Sequence, residues 1–254
     1  MDATTWNPSL YLTFDDHRAR PFHDLLARIP ADRPRRVVDM GCGPGHLTHL
    51  LALRWPDAAI TAFDSSAEMV EAARQRGIDV ARIDVVDWAP AADADVVITN
   101  AVLQWVPRHW DLLPRWMDAL PRGACFAMQV PGNFLSPSHL LLRELAEEPR
   151  WSRRFSLRDA LAVLEPQEYA ALLSQSGAQV DAWETTYLHR LTGDDPVLTW
   201  ISATALRPVR DALDDDDYQA FTAELAPRLR AAYPSGPDGS TWFPFRRIFA
   251  VART

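Results

Sequence analysis

The chain has 254 residues, 48% of them apolar, a size and composition that suit one α/β domain with an elaboration rather than a disordered segment. Its net charge of −8 argues against a general nucleic-acid binder, which usually carries a basic stripe, but leaves room for a small anionic substrate. All 26 basic residues are Arg, so a mechanism that needs a Schiff-base lysine is excluded.

The first half of the chain alternates predicted strands and helices. In chain order we expect a helix at 18–29, a strand at 36–40, a helix through 47–55, a strand at 59–64, a helix at 66–76, strands at 80–83 and 95–99, a helix at 110–120 and a strand at 124–130. Such alternation predicts a parallel sheet that is covered by helices on both faces.

From Pro131 onward this rhythm breaks. Helical insertions are predicted at about 132–165 and 195–235, and a helix at 166–176 and a strand at 180–190 lie between them. A strand at 242–252 closes the chain. Because no repeat or low-complexity linker occurs, we expect a single domain over 1–254. The four Asp at 214–217 are interpreted as a solvated helix start rather than a metal site.

A glycine-rich turn follows the first predicted strand. Gly41, Gly43 and Gly45 permit a positive φ and a close approach of backbone to a ligand, and the N–H groups of the next helix start face that ligand. About twenty residues on, Asp64 ends the second strand, where an acid can accept hydrogen bonds from both ribose hydroxyls. The pattern therefore indicates a nucleotide-type cofactor.

The spacing of the glycines separates two classes of cofactor site. A dinucleotide fingerprint requires glycine at position 46, which is His46 here. An NAD-dependent oxidoreductase, which also needs a hydride-transfer acid, is therefore disfavoured. A turn with a purely structural role stays as the other alternative.

The string Asp-x-Gly-x-Gly-x-Gly that begins at Asp39 resembles the first signature of the class I S-adenosylmethionine-dependent methyltransferases. The resemblance implies a Rossmann-like α/β fold with a mostly parallel sheet, an antiparallel last strand and helical insertions that form a substrate cap. It places Asp39 at the methionine end of S-adenosylmethionine and Asp84 and Val85 at the adenine. The cofactor-binding residues it implies are Asp39, Gly41, Gly43, Gly45, Asp64, Ser65, Asp84, Val85 and Asn100.

Outside the glycine turn, the chain is similar to the trans-aconitate methyltransferases over nearly its whole length. The segments that carry this similarity are WNPSLYL at 6–12, LQWVP at 103–107, QVPGNF at 129–134, PSH at 137–139, WETTYLH at 183–189, WISATALRP at 200–208 and FRRIF at 245–249. The resemblance implies methyl transfer to a carboxylate of trans-aconitate, which gives a monomethyl ester and S-adenosylhomocysteine. A small polycarboxylate is therefore the expected partner.

Arg247 is the leading candidate for binding a substrate carboxylate. It has the strand parity of apolar neighbours, and a buried arginine requires an anion, which is either the substrate or an internal Asp or Glu. Three other candidates also have a role without a ligand. Arg207 could separate two helices, Trp105 could pack in the core, and His139 could be a solvated or internally hydrogen-bonded histidine. The full set of substrate candidates is Tyr11, Arg20, Gln104, Trp105, Asn133, His139, Tyr187, Arg207 and Arg247.

The expected reaction needs no catalytic base, because a carboxylate is already ionised near neutral pH. No metal cluster is expected either, which disfavours a metal-assisted catechol-type enzyme. Two alternatives stay open: a methyltransferase for another small or thioester-linked acid, and a non-catalytic S-adenosylmethionine-binding protein. The first predicts turnover of that other acid, and the second predicts cofactor binding without methyl transfer.

The sequence also bears on location and thiol chemistry. No apolar run is long enough to span a membrane, and the N-terminus lacks the basic and apolar blocks of a signal peptide, so we expect a cytoplasmic protein without a membrane partner. Cys42 and Cys125 form no disulfide or zinc pattern and are predicted to be ordinary reduced thiols.

Overall fold

The computed structural model describes residues 15–157 and 162–254, with side chains from residue 19 onward in the first helix. The chain folds into two compact units. The first unit contains the described residues up to Pro131 together with Val163–Thr185 and Arg247–Thr254. The second unit contains the described part of Gly132–Ala162 together with Thr186–Arg246.

The first unit carries the alternating strands and helices that the sequence predicts. In chain order they are α1 (Asp15–Ala27), β1 (Arg36–Met40), α2 (Thr48–Arg54), β2 (Ala59–Asp64), α3 (Ala67–Gln75), β3 (Val80–Arg82), β4 (Val96–Asn100), α4 (Leu113–Ala119), β5 (Cys125–Pro131) and α6 (Pro166–Leu173). Helix α3 starts where the hydroxyl of Ser66 accepts a hydrogen bond from the N–H of Met69, which is an N-cap. The predicted C-cap glycine, Gly77, has a φ of 78°.

One sheet of seven strands contains all the described strands, in the order β3-β2-β1-β4-β5-β7-β6. Its last members are β6 (Gln179–Leu191) and β7 (Thr241–Arg253), which are the long strands that run from one unit into the other. Strands β1 to β5 pair in parallel, and β7 pairs with β5 in the antiparallel sense. The sheet therefore confirms the predicted class I methyltransferase arrangement, with an antiparallel last strand.

Alternate residues of these strands point to opposite faces of the sheet. Phe126, Met128 and Val130 of β5 lie in the large apolar core, which includes side chains of α4 and α6. The intervening residues face the other side, where α1 packs against β5. Phe22 and Leu25 of α1 are fully buried there. Burial on both faces explains why β1, β4 and β5 are nearly continuous apolar runs.

The second unit is built around helices. In chain order they are α5 (Pro137–Glu147), α7 (Pro196–Ser202), α8 (Arg207–Ala212) and α9 (Asp215–Ala232). Helix α9 packs against α5 and α7, and its buried residues include Phe221, Leu225 and Leu229. The carboxylate of Asp214 caps α9 by accepting a hydrogen bond from the N–H of Asp217, so the acidic run is a helix start as predicted.

Both predicted insertions contain helices. In the first insertion, predicted at about 132–165, the described helix is Pro137–Glu147, and turns follow it. The second insertion, predicted at about 195–235, contains the separate helices α7, α8 and α9 between Pro196 and Ala232. A single domain over 1–254 stays a prediction. None of the described helices is both long and apolar enough to cross a lipid bilayer.

Candidate functional site

The glycine turn between β1 and α2 adopts the backbone that its sequence requires. Gly41, Gly43 and Gly45 have φ values of 73°, 56° and 76°, a region that residues with a Cβ rarely adopt. The N–H groups of Gly41 and Cys42 both donate to the carbonyl of Phe63, at 2.8 and 3.0 Å. The turn is therefore anchored to the end of β2, beside Asp64.

The three glycines have different surroundings. A Cβ at Gly41 would collide with the side chain of Val102, and a Cβ at Gly45 would lie 2.9 Å from Cγ1 of Ile78. At Gly43, by contrast, a Cβ would have no described heavy atom of another part of the chain within 4 Å. Gly41 and Gly45 thus permit close packing of the protein on itself, and Gly43 is the glycine that borders open space.

Asp64 is tied to the turn by backbone hydrogen bonds. One carboxylate oxygen accepts from the N–H of Gly43 and the other from the N–H of Ser66, each at 2.9 Å. Burial raises the pKa of Asp64, and the N–H donors of Ser66, Gly43 and Ser65 partly offset that effect. A carboxylate has about four acceptor positions, so these N–H donors leave capacity on Asp64, which can both shape the turn and accept hydrogen bonds from a diol.

Asp39 is a buried acid on β1 with one strong hydrogen bond. It is 4% exposed, and its Oδ2 accepts from the hydroxyl of Thr48 at 2.7 Å. Burial raises its pKa to about 6, the Thr48 hydroxyl opposes that rise, and the nearby charge of Asp64 adds to it. An ionised carboxylate in this position would be stabilised by a cationic ligand group.

Asp84 lies two residues beyond the end of β3. Its Oδ1 accepts a hydrogen bond from the N–H of Val86 at 3.1 Å and caps the short 3₁₀ turn Val85–Asp87. Val85 is buried, 5% exposed. Ser65 is exposed, and its carbonyl accepts from Nε of Arg82 at 3.2 Å.

Five polar residues share one face at the carboxyl-end edge of the sheet. The register aligns Asp39 with Ala62 and Ile98, Asn100 with Gln129, and Gln129 with Phe249. Residues two apart on a strand share a face, so the same face carries a polar residue on each of five neighbouring strands. In sheet order this polar row consists of Asp64, Asp39, Asn100, Gln129 and Arg247.

Several amide atoms in and beside the polar row are buried without a hydrogen bond to any residue that the structure describes. They are Oδ1 of Asn100, Oε1 of Gln104 and both side-chain atoms of Gln129. Nε2 of Gln104 donates to the carbonyl of Ala101 at 2.7 Å. Asn100 and Gln104 were predicted from the sequence, but Gln129 was not. Its signal was a single polar residue within the apolar strand Cys125–Pro131.

The turn after β4 is held in an unusual backbone conformation. Ala101 has a φ of 58°, although it is not a glycine. Its N–H donates to the carbonyl of Gln129 at 2.9 Å, and its carbonyl accepts from Gln104. These two bonds fix the direction in which the chain leaves β4, and they link Asn100 to the end of β5.

The remaining substrate candidates of the first unit differ in burial. Arg247 is 6% exposed on an otherwise apolar strand face, as its parity predicts. Arg20 is exposed on α1, and Trp105 is half-buried in a 3₁₀ turn after β4. Tyr11 lies outside the described residues.

The second unit places the other substrate candidates on separate elements. Asn133 is 5% exposed and Tyr187 is 3% exposed, with the Tyr187 ring stacked against His189. Nδ1 of His139 lies 3.3 Å from the hydroxyl oxygen of Ser136. Arg207 begins α8, and burial lowers its pKa. Their roles as substrate ligands stay predictions.

Cys42 and Cys125 are free and buried. Burial raises the pKa of Cys42, and the nearby carboxylates of Asp39 and Asp64 raise it further. A thiol of this kind is a poor nucleophile. In the part of the chain that the structure describes, no three His, Cys, Asp or Glu side chains form a metal-binding group.

Comparison with known proteins identifies the family. Residues 14–182 match the family described as methyltransferase domain. The trans-aconitate 2-methyltransferase of Rhodococcus jostii is 59% identical over 251 residues, which cover 98% of this chain and 99% of that protein. The protein of the same name from Mycolicibacterium gilvum is 57% identical and covers 98% of both chains.

Solved structures agree at the level of the fold. The YcgJ protein of Bacillus subtilis has a TM-score of 0.57 to this chain at 14% identity, and the match covers 94% of this chain and 98% of that one. The domain match and the high identity to full-length relatives, together with the glycine turn and the order of the strands, lead to one assignment. The chain belongs to the methyltransferase domain family and, within it, to the trans-aconitate 2-methyltransferases.

Proposed function

We propose that the chain transfers a methyl group from S-adenosylmethionine to a carboxylate of trans-aconitate, giving a monomethyl ester and S-adenosylhomocysteine. The polar row carries this proposal, because it has a half-buried and a buried acid, Asp64 and Asp39, at one end and a buried arginine at the other. Acids suit the hydroxyl and ammonium donors of the cofactor, and the arginine suits a carboxylate. The shared name of the relatives supports the choice of acceptor.

The residues at the acidic end fit the cofactor. Open space beside Gly43 leaves room for the ligand against the backbone. The free lone pairs of Asp64 would accept from the ribose hydroxyls, and Asp39 would face the methionine ammonium. Asp84 and Val85 would lie at the adenine. When bound, S-adenosylmethionine supplies an electrophilic methyl group on a sulfonium ion.

At the other end of the row, Arg247 would bind a carboxylate that does not react. A guanidinium holds a carboxylate through two parallel hydrogen bonds, and a buried position strengthens the attraction. The same pairing would make a reacting carboxylate a poorer nucleophile. The remaining predicted ligands of the acid are Tyr11, Arg20, Gln104, Trp105, Asn133, His139, Tyr187 and Arg207.

The protein is expected to act by alignment and desolvation, without a general base. An acceptor carboxylate is ionised near neutral pH, because its ordinary pKa is about 4. Holding two reactants in line can by itself supply roughly 7–11 kcal/mol of the barrier. The buried His109 accords with this proposal, because burial lowers its pKa to about 4 and its Nε2 is hydrogen-bonded to the hydroxyl of Tyr169. It is therefore a structural group.

The proposal is tested by incubating the protein with isotope-labelled S-adenosylmethionine and a panel of organic acids, followed by mass spectrometry. We expect a labelled monomethyl ester of trans-aconitate. Turnover of another acid or thioester alone would favour the rival acceptor. Tight cofactor binding without transfer to any acid would favour a non-catalytic protein. A cytoplasmic location belongs to the same proposal, and cell fractionation tests it.

A further inference from the structure

Gln129 is a buried polar side chain whose amide has no hydrogen bond to the part of the chain that the structure describes. It is 1% exposed on β5, between the apolar residues Met128 and Val130. Neither Oε1 nor Nε2 has a hydrogen-bond partner among residues 15–157 and 162–254. Burying an amide in this way is destabilising, and folded proteins pair nearly all such groups. An unpaired amide at a sheet edge therefore indicates a ligand.

The position of Gln129 is fixed from both sides. In the register it lies beside Asn100 of β4 and Phe249 of β7, and its backbone carbonyl accepts a hydrogen bond from the N–H of Ala101. Oδ1 of Asn100, which shares the face, is also buried without a partner in the described chain. Two neighbouring strands thus present unpaired amide atoms at the carboxyl-end edge of the sheet.

In the polar row, Gln129 is one strand nearer to the glycine turn than Arg247. An acid that spans the row would place one carboxylate at each of these two residues. The carboxylate at Gln129 is the one closer to the residues that fit the cofactor. The two side chains also differ in chemistry, because a guanidinium binds both oxygens of a carboxylate, whereas an amide donates to one and leaves the other available.

We propose that Gln129 binds the reacting carboxylate of the acceptor acid and orients it for methyl transfer, while Arg247 holds a carboxylate that does not react. This inference rests on the proposed function and adds to it the residue that selects the reacting group. A neutral amide orients the nucleophile without neutralising its charge. Binding also satisfies Nε2 of Gln129, which compensates for its burial.

The first test is Gln129→Met, which nearly conserves the volume and removes the amide. Titration calorimetry measures the dissociation constant of trans-aconitate with protein saturated in S-adenosylhomocysteine. We expect that constant to rise roughly tenfold or more, since a hydrogen bond to a charged group is lost. The dissociation constant of S-adenosylhomocysteine alone should change by less than about twofold, and the melting temperature should stay equal or rise.

Kinetics separate the reacting from the non-reacting carboxylate. Gln129→Met should lower kcat at saturating acid more than Arg247→Ala does, whereas Arg247→Ala should mainly raise KM. The reverse order would overturn the assignment of the reacting carboxylate to Gln129. A residue with only a structural role would not produce this difference.

Met128→Leu is the matched control, because Met128 is the buried neighbour on the same strand and faces the apolar core. It should leave acid and cofactor binding unchanged. If Gln129→Met does not fold, Gln129→Asn decides, since it keeps the amide but withdraws it by one methylene. Weaker acid binding at unchanged cofactor affinity supports the proposal, and unchanged acid binding overturns it.

The outcomes for the two proposals are distinguishable. If the wild-type protein neither binds nor methylates trans-aconitate, the proposed function is wrong. If the wild type binds it and Gln129→Met binds it equally well, the function stands and the inference about Gln129 is wrong. An internal water that satisfies the amide in the acid-bound protein would give the latter result.

Discussion

Replacing Asp39 by Asn should make the cofactor-free protein more stable and the cofactor weaker in binding. The substitution removes a buried negative charge but keeps a side-chain oxygen that can accept from the Thr48 hydroxyl. In the native protein the pKa of Asp39 is about 6, compared with an ordinary 3.8, and burial is the main cause. Compared with the unfolded chain, the native fold therefore stabilises the protonated form of this acid.

The size of the effect follows from that difference in pKa. At about 1.4 kcal/mol for each pKa unit, keeping Asp39 ionised costs the folded state about 3 kcal/mol at neutral pH. The contribution has a definite sign. The pKa of Asp39 is raised in the folded protein, so its contribution to the free energy of unfolding is fully present below pH 3.8 and is lost as pH rises through about 6. Asp39→Asn should thus raise the melting temperature by roughly 6–12 °C at pH 7.5.

Urea unfolding of cofactor-free protein at pH 7.5 and pH 4.5 measures the prediction. The gain in free energy of unfolding should be large at pH 7.5 and should shrink at pH 4.5, where the wild-type acid becomes protonated. Asp95→Asn is a control of opposite sign, because the guanidinium of Arg35 holds the pKa of Asp95 below its ordinary value. An Asp39→Asn variant that is no more stable at pH 7.5 would refute the reasoning.

The same acid should make cofactor binding depend on pH. If Asp39 faces the methionine ammonium, the affinity for S-adenosylmethionine should fall as pH drops below about 6. Asp39→Asn should weaken binding at pH 7.5 and flatten this pH dependence. An unchanged pH profile in the variant would place the ammonium elsewhere.

Four further predictions concern residues of the glycine turn and the polar row. Asp64→Ala should raise the dissociation constant of S-adenosylmethionine strongly in calorimetry, and unchanged affinity would mean that Asp64 does not bind the ribose. Gly43→Ala and Gly45→Ala each place a Cβ at positive φ, at a cost of about 1–2 kcal/mol. Gly45→Ala should lower the free energy of unfolding more than Gly43→Ala does, since its Cβ also crowds neighbouring side chains. Gly43→Ala should mainly weaken cofactor binding. Equal effects of the two substitutions on both quantities would contradict the different surroundings of these glycines. Arg247→Ala should impair trans-aconitate binding far more than cofactor binding in calorimetry, and an equal loss of both would indicate a structural arginine. Cys42 should resist a thiol reagent at pH 8 in the folded protein, because its pKa is raised, and rapid labelling would contradict its burial.

Strand positions could be predicted well because burial on both faces leaves a clear apolar signal. The bounds of β1 and β2 agree with those read from the sequence, and β7 extends one residue further at each end. Helix ends agreed less well. Helix α1 already includes Asp15, whereas the sequence placed its start near 18, and it carries Pro21 in its interior, which local rules disfavour. There the packing of α1 against the sheet outweighs the preference of one residue.

The candidate site was predictable where residue type alone specifies the geometry. Glycines at the alternate positions 41, 43 and 45 predict a turn with positive φ, and all three residues have it. The sequence did not distinguish Gly43, which borders open space, from Gly41 and Gly45, because that depends on contacts with distant residues such as Val102. The sequence did not identify Gln129 as a candidate site residue for the same reason, since only the register shows which face of β5 it occupies.

The polar row and the turn that follows β4 contain several departures from local physical rules. Asp39 is a buried acid and Asp64 a half-buried one, and burial raises the pKa of both. Ala101 has a positive φ, and the amide of Gln129 has no hydrogen bond to any residue that the structure describes. Each departure destabilises the ligand-free fold, yet all lie at the carboxyl-end edge of one sheet, next to strands that are otherwise apolar. A cation beside the acids and an anion beside the amide would compensate for the burial of those side chains. The cofactor and the acid should therefore be recognised by opposite ends of the same edge.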